Sequence, residues 1–317
     1  MTGKKTETVL TPASIKSRGW VHLRKCYWLY IFLIPGLLLL LLFKYLPMAG
    51  LVIVFQEYSV IRGYSGSPWV GFKNFELLFS SISFLRVLRN SLLNSIYRLL
   101  WSFPMPILLA IMLNEIPHDK YKRTLQTIMY LPHFISWVVV VGMMNGLLGM
   151  ASGNLVNEII VRLDRSKIAF LTDARYYRAV MIGSSVWKGT GWGTVVYLAA
   201  LAGIDPALYD SALIDGANRI QRIRYITFPC ILSTITVMLI LRLGDLMTNS
   251  FEQTWLLQNS LNKSVAEVFE TYSYQVGLRE SRYSYSAAVG LFQSAISCLL
   301  IFSSNFISKK TGGDGLW

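Results

Sequence analysis

Six apolar blocks dominate this chain, at about 27–55, 90–114, 127–149, 179–203, 230–250 and 287–307. Each approaches the roughly 20 residues that a helix needs to cross the hydrocarbon core of a bilayer. Lipid offers no partners for backbone N–H and C=O groups, and the runs are too long for barrel strands, so every block is predicted to be a helix. Composition agrees where it bears on the point. Of 317 residues, 53% are hydrophobic and only 15% charged, and the mean hydropathy is +0.45. A soluble domain usually carries about 25% charged residues, so a soluble globular enzyme is excluded. The expected fold is an all-α membrane protein with six transmembrane helices. Pro35, Pro47, Pro104, Pro106 and Pro132 fall inside these blocks and predict kinks.

Three segments follow from the blocks: a basic N-terminal stretch at 1–26, a membrane domain at 27–307 and a short tail at 308–317. An even number of spans puts both termini on one side. With that side cytoplasmic, the inner segments hold Lys4, Lys5, Lys16, Arg18, Arg24 and Lys25, then Lys120, Lys122 and Arg123. Arg219, Arg222, Arg224, Lys309 and Lys310 complete the inner set. It is denser than the outer one, which favours cytoplasmic termini. The net charge of +13 therefore reads as basic loops beside anionic lipid, with no nucleic-acid partner. The three cysteines and three histidines are scattered, so neither a disulfide framework nor a metal site is expected. The long polar N-terminal stretch does not read as a cleavable signal peptide.

The most informative stretch is the loop at 204–229, between the fourth and fifth blocks. Asp205 suits a helix N-cap and Pro206 its first turn. Gly216 suits the helix end, and Pro229 opens the return helix. Asp210 and Asp215 line this short helix, while Ala212, Leu213 and Ala217 give it a compact apolar surface.

Asp210-Ser211-Ala212-Leu213-Ile214-Asp215-Gly216, followed by Phe228-Pro229, resembles the Glu-Ala-Ala loop of permease subunits of bacterial ATP-binding-cassette importers. Asp replaces Glu, Ser replaces Ala and Phe replaces Leu, but Gly and Pro keep their register. The chain is similar to the sugar-importer branch related to the maltose system. Within it, Trp187–Gly193 and Gly312–Trp317 look like permeases for large oligosaccharides and polysaccharides, such as the alginate importer. The resemblance implies that Asp210, Ser211, Ala212, Leu213, Asp215, Gly216 and Ala217 form a coupling helix gripped by an ATPase subunit. It also implies a second homologous permease, an ATPase dimer that holds ATP and Mg, an extracytoplasmic sugar-binding protein, and the bacterial inner membrane. The chain itself has no GxxxxGK[ST] phosphate loop and no HExxH or GxSxG motif, so hydrolysis belongs to a partner and no cofactor is expected here.

Ionisable side chains within spans are costly and mark functional positions. Lys44, Arg98, Lys188, Arg242 and Asp245 qualify, four cations against one anion. Arg242 and Asp245 are spaced to pair on one helix face. Lys44 and Arg98 are expected to snorkel to the outer interface. Lys188 is the leading candidate for the substrate pathway, because it adjoins Gly189-Thr190-Gly191-Trp192-Gly193, a run expected to loosen the helix. Trp187, Trp192 and Tyr197 offer flat faces to sugar rings, and Arg242 a second cation. The alternative is close helix packing through Gly189 and Gly193, the spacing also seen at Gly142 and Gly146. Outer segments 251–255 and 265–272 read as amphipathic pieces, at the interface, at the outer mouth or against a binding protein.

The cation excess favours an acidic saccharide, a uronate polymer with alginate the first guess and pectin fragments next. A neutral oligosaccharide remains an alternative. So does an ion-coupled carrier, although only one acidic residue lies within a span.

Overall fold

The computed structural model describes residues 27–310, and its regular structure there is helical apart from one isolated bridge, Gln56 to Trp69. The basic stretch 1–26 and the Gly312–Trp317 motif lie outside the described residues. Two units make up the chain, one ending at Ile53 and one starting at Val54. In the first unit no residue of helix Tyr27–Leu40 is buried. A helix apolar on every side and uncovered is one that meets lipid. Pro35 sits inside it without a break, whereas a π-helical turn at Leu41–Tyr45 precedes Pro47.

Tyr27–Phe55, Ile82–Asn114, Arg219–Met247 and Tyr283–Lys310 are each long and apolar enough to cross a membrane. Two bent pairs complete a set of six: Asp119–Phe134 with Trp137–Leu148, bent by 97°, and Ala174–Ala202 with Pro206–Ile214, bent by 71°. The expected prolines explain two of the interruptions. Phe103 separates the halves of the second span just before Pro104, and the third span breaks three residues after Pro132. Pro229 falls in the first turn of the α-helix Phe228–Gly244, as expected, but the span as a whole reaches further back. That span starts at Arg219, and a π-helical turn at Ile223–Thr227 precedes Pro229. The sixth helix likewise runs to Lys310, past the 307 boundary drawn from hydropathy.

The second span begins at Ile82 instead of Asn90 because its polar first turns are turned inward. Arg86 Nη2 meets Glu267 Oε2 at 2.8 Å, and Lys263 Nζ meets the other Glu267 oxygen at 3.2 Å. Glu267 is 2% exposed, so two cations compensate a buried carboxylate that alone would cost several kcal/mol. Asn90 Nδ2 donates to the carbonyls of Ser264 and Glu267. Segment 248–282 is therefore packed into the bundle, and the expectation of interfacial helices is corrected. It forms helices Phe251–Leu257, Lys263–Ala266 and Phe269–Tyr274, with Gln253, Thr254, Val268 and Phe269 at most 1% exposed. Phe269 joins Phe84 and Phe292 in an aromatic cluster beneath this cap. Burial pushes the Glu270 carboxyl above its usual range, against the hydrogen bonds from Asn249 N–H and Gln293 Nε2 that hold it down.

The glycine run of the fourth span does not unwind. Ala174–Ala202 is one continuous helix. A Cβ on Gly191 would overlap the backbone carbonyl of Met129, and one on Gly193 would lie 2.8 Å from Pro106 Cγ. Close packing thus falls to Gly191 and Gly193, against the third and second spans, while Gly189 faces open space. Gly142 and Gly146 also meet nothing among the described residues, so their spacing marks no contact there.

Candidate functional site

Two places bring the sequence-predicted residues together. The first is the loop after the fourth span. Asp205 Oδ1 accepts from Ala207 N–H at 3.0 Å, and Pro206 needs no N–H at the first turn, so the short helix Pro206–Ile214 is capped as the sequence predicts. Gly216 has φ +76°, with Gly216 N–H bonded to Leu213 O and Ala217 N–H to Ala212 O. This paired closure is a Schellman turn. Asp210, Ser211 and Ala212 therefore lie on the helix, which Leu213 and Ile214 end, and Asp215, Gly216 and Ala217 form the turn that closes it.

The apolar surface of this helix is uncovered: Leu208, Leu213 and Ile214 are 47%, 53% and 87% exposed. Its other side is anchored. Tyr209 Oη lies 3.0 Å from Thr227 Oγ1, which is buried at the foot of the fifth span. Just beyond, Arg219 meets Glu115 at the end of the second span at 3.2 Å. The ion pair is half-exposed and worth little by itself. Together these contacts tie the loop to two spans.

The second place is a cavity of about 520 Å³ in mid-bundle. Its charged lining is Arg98, Lys188 and Glu252, with His133, Trp137 and Gln253 among the other walls. Arg98 lies midway along Ile82–Asn114 and Lys188 midway along Ala174–Ala202, so both cations sit at mid-span depth. Lys188 Nζ donates to the backbone carbonyls of His133 and Ile135, both at 2.6 Å, and of Pro132 at 3.4 Å. These carbonyls belong to the break in the third span, where a helix end leaves acceptors without partners and carries partial negative charge. An ammonium has three donors, and all three are used. Trp137 lies under the same ammonium at 5.6 Å, and Trp192 stacks on His133 with ring centroids 4.9 Å apart.

The remaining candidates are dispersed. Trp187 lines a separate apolar cavity with Val140, Met144 and Leu147. Tyr197 is 3% exposed inside an apolar cluster with Ile107, Leu201 and Ile231, so its proposed sugar-facing position is corrected. Arg242 and Asp245 make no ion pair with each other; both line a small cavity of about 80 Å³. Arg98 is the residue that sequence reasoning misplaced. Because its span starts at Ile82, it is too deep to snorkel, and Arg98 lines both the large and the small cavity. Glu252 and Gln253 were also missed, since a loop segment between two spans gives no sign of re-entering the bundle. Gln253 Nε2 donates to Met181 O at 2.7 Å and Ser184 Oγ at 3.0 Å, and its Oε1 accepts from Ser185 at 2.9 Å.

Comparison with known proteins adds five matches. Residues 102–312 match the family model described as binding-protein-dependent transport system inner membrane component. Among curated relatives, Protein LplB of Bacillus subtilis (strain 168) is 46% identical, covering 99% of this chain and 98% of its own. The polygalacturonan/rhamnogalacturonan transport system permease protein YteP of the same organism is 42% identical, covering 98% and 97%. A solved bacterial ABC transporter involved in import of the acidic polysaccharide alginate contains a chain with 39% identity and TM-score 0.84, covering 92% of this chain and 99% of that one. A bacterial alginate ABC transporter in complex with an alginate pentasaccharide-bound periplasmic protein gives 38% identity and TM-score 0.85, covering 94% and 99%.

Proposed function

The chain belongs to the binding-protein-dependent transport system inner membrane components, and from that premise we propose that it is the permease subunit of an importer for acidic oligo- or polysaccharides. It is a transport subunit and no enzyme. ATP and Mg act in a partner ATPase dimer, and a second homologous permease and an extracytoplasmic binding protein complete the importer. The observation that carries the acidic substrate is the mid-span cavity, which has two cations, Arg98 and Lys188, against one carboxylate, Glu252. Cations at mid-span depth are costly and mark functional positions, and an acidic cargo offers them a partner that a neutral one does not. Similarity to the alginate importer and to the polygalacturonan permease supports the same reading. A neutral oligosaccharide is the second reading, favoured by one observation: the Lys188 donors are already engaged by carbonyls.

The deciding measurement uses the complete importer in liposomes, supplied with uronate and neutral oligosaccharides of equal length. Uronates are expected to drive faster ATP hydrolysis and uptake. Equal responses would remove the acidic reading and leave the permease assignment standing.

The helix Pro206–Ile214 with its closing turn is assigned to the ATPase contact. A methyl group on Gly216 meets nothing among the described residues, but φ +76° strains any side chain by about 1–2 kcal/mol. Gly216→Val is therefore expected to distort the turn, leave all spans inserted and lower binding-protein-stimulated ATP hydrolysis severalfold. Unchanged stimulation would refute this role.

Both termini are placed in the cytoplasm. Single cysteines introduced between residues 150 and 178 should then react with an impermeant thiol reagent on intact cells. Reaction only after permeabilisation would reverse the orientation.

A further inference from the structure

The short helix Pro206–Ile214 has an attachment beyond its two chain ends. It is bent by 71° from the fourth span, and its closing turn leads through Gly216 into the foot of the fifth. A helix hung by its ends alone can swing about them. Here its middle is held as well: Tyr209 Oη lies 3.0 Å from Thr227 Oγ1, and Thr227 is 1% exposed. Thr227 Oγ1 donates in turn to Arg222 O at 3.4 Å. A hydroxyl has one proton to give, so Tyr209 is the donor to Thr227.

The contact lands on a joint. Thr227 is the last residue of the π-helical turn Ile223–Thr227, which separates the foot Arg219–Arg222 from the long helix Phe228–Gly244. Phe228 N–H bonds to Ile223 O, five residues back, where an α-helix would bond four back. Single π-turns inside α-helices are rare and frequent at functional sites. The far side of the joint is tied elsewhere. Asn218 and Gln221 form a capping box at the start of the foot, and Arg219 meets Glu115 of the second span at 3.2 Å. The π-turn thus lies between a foot tied to the second span and a residue tied to the short helix.

We propose that the Tyr209–Thr227 contact is the point at which movement of the short helix acts on the fifth span, with the π-helical turn as the joint that yields. The inference rests on the assignment of Pro206–Ile214 to the ATPase contact, and it names the side chains that pass its displacement upward. Tyr209 and Thr227 are positioning residues, acting through the two helices they join. One hydrogen bond is a modest tether, but this one ends on a buried hydroxyl and pulls on a turn whose two registers differ by a single residue. A small displacement of the short helix is then enough to tilt the span above it.

The test uses the complete importer in liposomes with oligogalacturonate or the neutral oligosaccharide of equal length, whichever the wild type takes up faster. The readout is saccharide taken up per ATP hydrolysed. A contact that only stabilised the fold would change how much importer assembles and leave this ratio alone. A broken transmission lets ATP be hydrolysed without transport. Tyr209→Phe and Thr227→Val should each lower the ratio roughly threefold to tenfold. The double variant should fall no further than either alone, the mark of one shared contact. Thr227→Ser keeps the hydroxyl and should stay near wild type. Thr227→Ala takes the place of Thr227→Val if that variant fails to assemble. A wild-type ratio in both single variants, a fall in only one of them, a lower double variant, or a Thr227→Ser as low as Thr227→Val overturns the proposal. Unchanged stimulation in Gly216→Val overturns the ATPase assignment itself, a separate result.

Discussion

Gly191→Ala is expected to disrupt the membrane domain, while Gly189→Ala, two residues earlier on the same helix, is expected to leave it intact. Alanine is the better helix former by about 1 kcal/mol at both positions, so propensity alone favours both variants. Sterics separate them. The new methyl at 191 runs into the carbonyl of Met129, which belongs to the backbone of the third span and cannot swing aside as a side chain would. At 189 it meets nothing. Overpacking usually costs about 1–3 kcal/mol, and a backbone obstacle puts Gly191→Ala at or beyond the upper end. The check is the temperature at which the purified permease in detergent loses its monodisperse peak. It should fall by several degrees or more for Gly191→Ala and stay or rise for Gly189→Ala. Equal temperatures would mean that the two helices part without cost.

That pair also shows what a single sequence withholds. The glycine run was visible, together with its two meanings, a loosened helix or a close crossing. Which glycine meets a neighbour depends on the rotation of the fourth span about its axis, and that is set by the third and second spans. The run of small and aromatic residues around it carries no clean polar face from which to read that rotation. The crossing falls on Gly191 and Gly193, so a four-residue spacing rule selected one right residue of two.

Span ends show a related limit. The helices themselves were legible because long apolar runs admit only one backbone solution in lipid. The apolar run of the second span, however, starts about two turns after its helix does, since Arg86 and Asn90 are satisfied by Glu267 and the carbonyls of segment 248–282. That small error moved Arg98 from mid-span to near the interface, and with it the expectation of snorkelling. The loop 204–217 was read more fully because its signals are local. An N-cap aspartate, a first-turn proline and a glycine at positive φ each act within one turn of the chain.

Replacing Lys188 by methionine is expected to abolish most transport of acidic and neutral saccharides alike. Methionine has similar length and fills the same space, so packing changes little. What it removes is an ammonium whose three donors end on Pro132, His133 and Ile135. Those carbonyls lie at the 97° bend between Asp119–Phe134 and Trp137–Leu148. Pro132 O keeps the Ile135 N–H at 3.3 Å, whereas those of His133 and Ile135 lose their donor, each at a cost of about 1–3 kcal/mol where water cannot reach it. Lys188 lines the cavity, so water can replace part of what is lost and the span stays inserted. The bend, however, is no longer held by one fixed group, and the ring of His133 that stacks on Trp192 loses its anchored backbone. Hydrogen exchange at the bonded amides following the break, 139 and 140, should therefore quicken in Lys188→Met by tenfold or more, since roughly each 1.4 kcal/mol of lost local stability is a factor of ten. Lys188→Arg, which keeps the charge and offers five donors, should recover much of both transport and protection. A variant that loses uptake of uronates only, with exchange at the break unchanged, would make Lys188 a substrate ligand and not the pin of the broken helix.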